Sequence, residues 1–123
     1  MDLGAFSISL AVRNLRASRA FYQRLGFVSV GGDQNQGWLI MKNGMTVIGL
    51  FQGMFKNNVL TFHPGWDYDA NPLPSFTDIR EIQRVLMAQG ISPIRMADPQ
   101  TTGPEHLILA DPDGNHILLD QRV

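Results

Sequence analysis

The residues best suited to chemistry are concentrated in one segment, Phe62–Asp69, which reads FHPGWDYD. This segment holds an imidazole, an indole, a phenol and two carboxylates. Trp66 and Tyr68 can cover a planar or apolar ligand, and His63 can act as an acid or a base near neutral pH. The alternative is a structural loop, in which a Pro-Gly turn leads to Trp66 and the indole plugs one end of the fold. The sequence does not decide between a chemical and a structural role for His63.

Two further pairs bring an imidazole close to a carboxylate along the chain. Glu105 and His106 are adjacent, so on a strand only one of them faces a ligand, and the sequence does not decide which. His116 and Asp120 are four residues apart and share one face of a predicted strand. They lie ~13 Å apart along that strand, too far to hold one metal ion together. A simpler interpretation of His116 is a solvent-exposed residue at a hairpin end.

Composition excludes several other classes of chemistry. The chain has 123 residues, no cysteine and a net charge of −1, with acidic and basic residues interspersed. Disulfides, thiolate metal sites and a Cys nucleophile are therefore ruled out, and no basic face points to a nucleic-acid partner. The glycines at 31, 32 and 37 match neither nucleotide-binding fingerprint. We expect a cytoplasmic protein with no membrane segment, since no apolar run approaches the ~20 residues that cross a bilayer and no secretory signal is visible.

The first half of the chain predicts one helix between strands. Phe6–Val12 alternates large apolar and small residues, which is typical of a strand. Asn14 can cap a following helix and Gly26 can end it. Three more strands are expected: Phe27–Val30, Trp38–Met41 and Met45–Phe51. The first of these ends at Gly31-Gly32, and a Lys42-Asn43-Gly44 turn joins the last two.

The second half repeats this order. Asp78 and Glu81 form a start that resembles a capping box, and Gly90 ends the helix. A proline-containing loop precedes this helix, and a tight turn at 111–114 precedes the last strand. The strands expected in this half are Val59–Phe62, Ile91–Met96, His106–Ala110 and Ile117–Asp120.

A constant offset relates the two helices. Asn14 and Asp78 are 64 residues apart, and so are Gly26 and Gly90. Each helix has a cap, an apolar face and a stop at this one spacing, which predicts duplicated βαβββ modules. The modules are expected at 1–56 and 57–123, within a single domain of the α+β class. The alternative is two unrelated amphipathic helices.

Two segments at opposite ends of the chain carry a family resemblance. Leu10–Phe27 (LAVRNLRASRAFYQRLGF) resembles the opening of the glyoxalase/bleomycin resistance/dioxygenase superfamily, also called vicinal oxygen chelate. Asp111–Leu119 (DPDGNHILL) resembles its closing hairpin. With the repeat between them, the resemblance covers nearly the whole chain. It implies curled sheets around a ligand cavity, with the helices on the convex face, and a cavity completed within one chain or across a homodimer.

The positions that match the family's metal ligands hold unsuitable residues. The resemblance places these positions at Ser7, Gly49 and Leu118, while the proline-containing loop obscures the fourth, for which His63 is the nearest candidate. Glycine and leucine cannot coordinate, and a neutral serine hydroxyl is a poor ligand on its own, whereas a divalent ion needs several converging donors. We expect no metal and no other cofactor, with a relocated metal site as the alternative.

The remaining candidates form a cavity surface. If Ser7 faces the cavity, Ser9 does too, and a neighbouring strand adds small and aromatic residues; the alternative is that these small residues serve tight packing. The expected ligand-binding residues are Ser7, Ser9, Val47, Gly49, Phe51, His63, Trp66, His106, Leu118 and Asp120.

The function predicted from these observations is binding of a small organic ligand in a barrel cavity without a metal. The alternative is a lyase, isomerase or dioxygenase of the same superfamily, with a displaced metal or with His63 as the candidate catalytic acid or base. A third hypothesis, a regulatory or interaction module, has no positive support in the sequence.

Overall fold

The computed structural model describes all 123 residues and divides them into two compact units. The first unit is Ser7–Val59, and the second unit joins Met1–Phe6 to Leu60–Val123. The predicted α+β class is confirmed, with seven strands and two α-helices. Neither helix is long and apolar enough to cross a membrane. The elements in chain order are β1 (Ala5–Val12), α1 (Leu15–Arg24), β2 (Val28–Asp33), β3 (Trp38–Asn43), β4 (Thr46–Gln52), β5 (Val59–His63), α2 (Ile79–Ala88), β6 (Glu105–Ala110) and β7 (His116–Gln121).

In the first unit, helix α1 packs on one face of four strands in the order β2-β3-β4-β1. Strand β4 runs parallel to β1 and antiparallel to β3, which is itself antiparallel to β2. Asn14 caps α1 as predicted, because its side-chain oxygen accepts the N–H of Ala17 at 3.1 Å. Alternation then sends one set of strand residues towards the helix. The buried core on that side is Leu15, Leu39, Met41, Ile48 and Leu50.

In the second unit, helix α2 packs on three strands in the order β5-β7-β6. Strand β5 is parallel to β7, and β6 is antiparallel to it. Asp78 caps α2 as predicted, accepting the N–H of Arg80 at 2.9 Å. The buried core on the helix side is Ile79, Ile82, Ala97, Leu107, Leu109 and Leu119.

One hydrogen bond occurs in both units at matching places. The side-chain oxygen of Gln52, at the end of β4, accepts the N–H of Leu15, the first residue of α1, at 2.7 Å. Gln121, at the end of β7, accepts the N–H of Ile79, the first residue of α2, also at 2.7 Å. These N–H groups have no partner inside their helices, so each glutamine satisfies one of them and ties its helix to the last strand.

The strand predicted at Ile91–Met96 is not present. This segment makes only an isolated bridge between Arg95 and Ile108 of β6. Pro93 has no N–H to donate to a ladder, which explains why pairing is limited to one position beyond it. The second half therefore contributes three strands where the repeat predicted four.

The predicted end of the second strand is also wrong. Strand β2 continues through Gly31 and Gly32 to Asp33, with a register shift after Ser29. Gly32 has a φ of +91°, and a Cβ there would lie 2.7 Å from the Cα of Leu39. Glycine at this position permits close approach of two paired backbones and does not end the strand. The turn that follows β3 is Gly44-Met45 and not Lys42-Asn43-Gly44, since Asn43 pairs with Thr46.

Candidate functional site

The first unit gathers its expected ligand-binding residues on one sheet face. Ser9 on β1 pairs with Gly49 on β4, and Ala11 pairs with Phe51. Paired residues point to the same side of a sheet, so these four lie on the face opposite the core of α1. Ser7 and Val47 belong to the same face because each lies two residues away from Ser9 or Gly49 on its strand. Ser7 and Ser9 are both buried.

Aromatic rings dominate this face. Phe51 leans over Gly49, since a Cβ built on Gly49 would lie 2.5 Å from Cε2 of the ring. The Trp38 and Phe51 rings lie almost parallel, with centroids 6.2 Å apart and 7° between their planes. Phe55 adds a third ring, with its centroid 5.3 Å from that of Phe51. We call Trp38, Phe51 and Phe55 the aromatic cluster.

Trp38 and Phe55 were missed by the sequence analysis. Trp38 is opposite Phe51 because β3 and β4 pair in a particular register, and that register depends on the turn at Gly44 and Met45. The hairpin signal was visible, but the turn lies at Gly44-Met45 and not at Lys42-Asn43-Gly44, and this difference changes which side chains meet. The pattern gave no signal for Phe55, which follows β4 in a loop.

Strand pairing relates Ser7 to Val59, which is then the fourth position that the family resemblance would assign to a metal ligand. Ser7 lies two residues before Ser9, the partner of Gly49. In the second half, Thr61 is the partner of Leu118, so the residue that matches Ser7 is two before Thr61, at Val59. A valine cannot coordinate, and no group of three or more His, Asp or Glu side chains in the structure is placed to hold a metal ion.

The second unit brings its expected residues together on one face of β5, β7 and β6. Leu118 pairs with Thr61 on one side, while Asp120 pairs with His106 on the other. His63 follows Phe62, the partner of Leu119, and therefore lies beside Asp120. His63, Asp120 and His106 thus form a row across three strands, which we call the polar row.

The choice between Glu105 and His106 is resolved by this register. His106 shares the face of Asp120, whereas Glu105 pairs with Gln121, whose side chain is buried on the helix side. Glu105 accepts hydrogen bonds from the backbone N–H groups of Asp98 at 3.0 Å and His106 at 2.9 Å. Those two bonds, with a smaller contribution from Arg95 at 3.2 Å, lower the pKa of Glu105 to about 2. Glu105 is therefore a structural carboxylate and not a proton carrier near neutral pH.

The ring of His63 is oriented by its neighbours. Its Nδ1 lies 2.8 Å from the backbone oxygen of Asp120. A carbonyl oxygen only accepts, so Nδ1 carries the hydrogen and Nε2 of the neutral ring is an acceptor. The Trp66 ring lies against it, with centroids 5.0 Å apart. His116 is exposed at the first residue of β7, as the simpler interpretation expected, and it pairs with Ala110.

A groove of about 440 Å³ lies elsewhere in the first unit, between β1 and α1. Its walls are Leu10–Val12 and the Phe21 side of α1, and Asn58 lies at one end. None of the residues expected from the sequence lines this groove. Asn58 holds the end of β1, since its side-chain oxygen accepts the N–H of Ala11 at 3.0 Å.

Comparison with known proteins agrees with this architecture. A bleomycin resistance protein of Klebsiella pneumoniae is 30% identical over 127 residues, which cover 92% of this chain and 88% of the relative. A superfamily member from Vibrio splendidus 12B01 shares the fold with a TM-score of 0.65, 12% identity and coverage of 94% and 97%. Streptomyces coelicolor methylmalonyl-CoA epimerase does so with a TM-score of 0.62, 13% identity and coverage of 99% of both chains. The model of the Glyoxalase/Bleomycin resistance protein/Dioxygenase superfamily matches residues 4–119, and the chain therefore belongs to that superfamily.

Proposed function

We propose that this protein binds a small organic molecule with a planar, largely apolar part, and that it does so without a metal ion. The observation that carries this proposal is the placement of Phe51 over Gly49. A position that would hold a carboxylate ligand in metal-dependent members of the family is covered by an aromatic ring. Phe51 and Trp38 present nearly parallel rings there, and aromatic rings of a ligand stack favourably on such surfaces.

The two units carry different chemistry on their own sheet faces. In the first unit, the small side chains of Ser7 and Ser9 lie on the same face as the aromatic cluster, and Val47 adds apolar surface. In the second unit, the polar row provides polar groups next to the apolar side chain of Leu118. A mostly apolar surface with a few fixed polar groups is typical of small-molecule sites. We propose that each of these faces is a ligand-binding surface of its own unit, in one domain of two modules at 1–56 and 57–123.

Bleomycin is the first candidate ligand, because the Klebsiella pneumoniae relative is a bleomycin resistance protein. We further propose a cytoplasmic homodimer, as the family resemblance implies. Metal-free bleomycin should raise the melting temperature of the protein in the presence of a chelator, and the increase should grow with ligand concentration. Mass spectrometry of the recovered ligand should show it unchanged.

Two single substitutions locate the binding surface. Phe51→Ala removes the central ring of the aromatic cluster, and we expect it to weaken binding of metal-free bleomycin at least about tenfold, the loss that corresponds to about 1.4 kcal/mol. Phe21→Ala is the matched control, because Phe21 is an exposed aromatic residue of the same unit on the α1 groove. Loss of binding with Phe21→Ala and not with Phe51→Ala would place the ligand in the α1 groove and contradict the proposal.

The alternative function is an enzyme of the same superfamily in which His63 is the acid or base. The observation that favours it is the orientation of the ring, which leaves Nε2 able to accept a proton. Chemical change of a bound ligand, abolished by His63→Asn in a folded protein, would support the enzyme and contradict simple binding.

A further inference from the structure

We propose that His63 is a pre-positioned hydrogen-bond acceptor for an N–H or O–H group of the ligand, and that Gly4 is the residue that positions it. This inference rests on the proposed function, since it names the chemistry of one part of the same site. The position of the hydrogen on the imidazole can also be tested with no ligand present.

The acceptor atom is Nε2 of His63. The hydrogen bond from Nδ1 to the backbone oxygen of Asp120 places the single hydrogen of the neutral ring on Nδ1. Nε2 has no hydrogen-bond partner within the protein. The only buried side-chain nitrogen or oxygen without a partner is Nε of Arg19, so Nε2 of His63 is open to solvent and to a ligand.

Trp66 restricts the ring from a second side. Its indole packs against the imidazole at 45° with a centroid separation of 5.0 Å. The backbone of the two residues is also connected, because the N–H of Trp66 donates to the backbone oxygen of His63 at 3.1 Å. A ring held by a hydrogen bond and by packing loses little further freedom on binding, which favours affinity for a ligand that matches it.

The N-terminal segment contacts the turn between His63 and Trp66, and Gly4 is the point of closest approach. A Cβ built on Gly4 would lie 1.9 Å from the backbone oxygen of His63 and 2.8 Å from the nitrogen of Pro64. The next residue, Ala5, donates its N–H to the backbone oxygen of Trp66 at 3.2 Å. No residue larger than glycine fits at position 4 without displacing the backbone of His63. The 59-residue separation along the chain explains why this contact could not be predicted from sequence.

The matching ligand group is a hydrogen-bond donor next to a planar surface. A neutral imidazole nitrogen accepts from an amine, an amide N–H or a hydroxyl, and it repels another lone pair. Asp120 lies beside His63 in the polar row, and its carboxylate already lies 3.8 Å from the guanidinium of Arg122, so it adds no separate preference for a positively charged donor. The ligand group that matches His63 is therefore an amine, an amide N–H or a hydroxyl, next to the indole of Trp66. A ligand that carries only acceptor groups there should bind poorly.

Nitrogen-15 NMR of the histidine side chains tests the first step. The protein has three histidines, and the spectrum of His63→Asn identifies the signals of His63. We expect the signals of the neutral ring with hydrogen on Nδ1 and none on Nε2. A ring with its hydrogen on Nε2 would overturn the inference without affecting the proposed function.

Gly4→Ala tests the positioning role, with Gly53→Ala as its matched control. Both glycines have a left-handed backbone, with φ of +81° and +74°, but a Cβ at Gly53 would meet nothing within 4 Å. We expect Gly4→Ala to lose the Nδ1–H signature of His63 and to weaken binding of metal-free bleomycin at least about tenfold. Gly53→Ala should retain both. An unchanged His63 spectrum in Gly4→Ala would contradict the positioning role.

His63→Asn keeps the test decisive if Gly4→Ala does not fold. The asparagine amide can still donate to the backbone oxygen of Asp120, but it offers no acceptor where Nε2 lies. We expect the melting temperature to stay close to that of the original protein, and bleomycin affinity to fall at least about tenfold. Unchanged affinity in His63→Asn contradicts this inference alone, whereas failure of the unsubstituted protein to bind contradicts the proposed function.

Discussion

The ring of Phe51 occupies the space that any side chain on Gly49 would need. A Cβ on Gly49 would lie 2.5 Å from Cε2 and 3.2 Å from Cζ of that ring, and 3.4 Å from Cδ1 of Ile40. Trp38 lies nearly parallel to the same ring. On this face of the first unit, the Phe51 ring therefore covers position 49, which the family resemblance would assign to a metal ligand. This relationship is the basis for proposing binding in preference to metal-dependent chemistry.

Gly49→Ala should destabilise the protein by about 1–3 kcal/mol, the usual cost of forcing extra volume into a packed site. The added methyl group must displace the Phe51 ring, which is held by Trp38. Urea unfolding of Gly49→Ala, Phe51→Ala and the double variant measures this coupling. We expect the double variant to be more stable than the sum of the single effects implies.

Gly31→Ala is the control for that experiment. A Cβ at Gly31 would meet only ordinary contacts, the nearest 3.7 Å away on Ile40. Its effect should stay within about 1 kcal/mol. Equal effects of Gly49→Ala and Gly31→Ala would show that Phe51 does not restrict the Gly49 position.

Gln121→Leu should cost considerably more stability than Gln52→Leu. Both glutamines accept the first N–H of a helix at 2.7 Å, but Gln121 is fully buried and also donates to Asp78, Gly103 and Val123. Each buried polar group left without a partner costs about 1–3 kcal/mol. At the more exposed Gln52, water can replace the lost partner. Chemical unfolding of the two variants compares these costs, and equal losses would contradict the explanation.

The helices and the strand faces could be predicted from sequence because their signals are local. The Asn14 cap and the Gly26 stop lie within a few residues of the helix they bound, and alternation along β1 was enough to place Ser7 and Ser9 on one face. The same alternation limited Glu105 and His106 to opposite sides, but only the pairing of His106 with Asp120 decided which side each takes.

Contacts between distant segments could not be predicted, since they depend on register and on backbone approach. Trp38 meets Phe51 only in the observed register of β3 and β4. Gly4 touches His63 across 59 residues of chain. Pro93 was visible in the sequence, and its missing N–H should have argued against the strand predicted around it.

Two turns of the second unit have the same hydrogen-bond pattern and differ in sequence at their second and fourth residues. The segments DYDAN at 67–71 and DPDGN at 111–115 each begin with an aspartate whose oxygen accepts the N–H groups of the third and fifth residues. Those distances are 2.9 and 3.0 Å in the first turn and 2.9 and 2.8 Å in the second. The fourth residue has a positive φ in both, 60° at Ala70 and 85° at Gly114.

Ala70→Gly should therefore stabilise the protein by up to about 1 kcal/mol. A left-handed backbone costs a non-glycine residue about 1–2 kcal/mol, while the greater freedom of glycine in the unfolded chain offsets about 0.5–1 kcal/mol of the gain. Gly114→Ala, the reverse exchange in the matching turn, should be destabilising. Thermal unfolding of both variants checks the pair, and a loss of stability in Ala70→Gly would contradict the predicted strain.

Glu105 should contribute to stability in a pH-dependent way. Backbone hydrogen bonds from Asp98 and His106 lower its pKa from 4.5 to about 2 in the folded protein. A lowered pKa means that the contribution is fully present above pH 4.5 and is lost as the pH falls towards 2. Glu105→Gln should reduce stability at neutral pH and flatten the decrease on acidification.

Glu81→Gln is the control for the acid titration. The pKa of Glu81 is lowered by its hydrogen bond to Arg84, but both side chains are exposed on α2, where ion pairs contribute little. Unfolding curves between neutral and acid pH should show a larger loss of stability at neutral pH for Glu105→Gln than for Glu81→Gln. A smaller effect from Glu105→Gln than from Glu81→Gln would contradict the assignment of Glu105 as a structural carboxylate.

Isothermal titration of metal-free bleomycin into protein dialysed against a chelator tests the central claim most directly. We predict saturable binding, with the same affinity when the titration is repeated with Zn²⁺, Ni²⁺ or Mn²⁺ supplied to the protein in turn and the excess removed. The absence of binding to the chelator-treated protein, with binding restored by one of these ions, would contradict metal-independent binding.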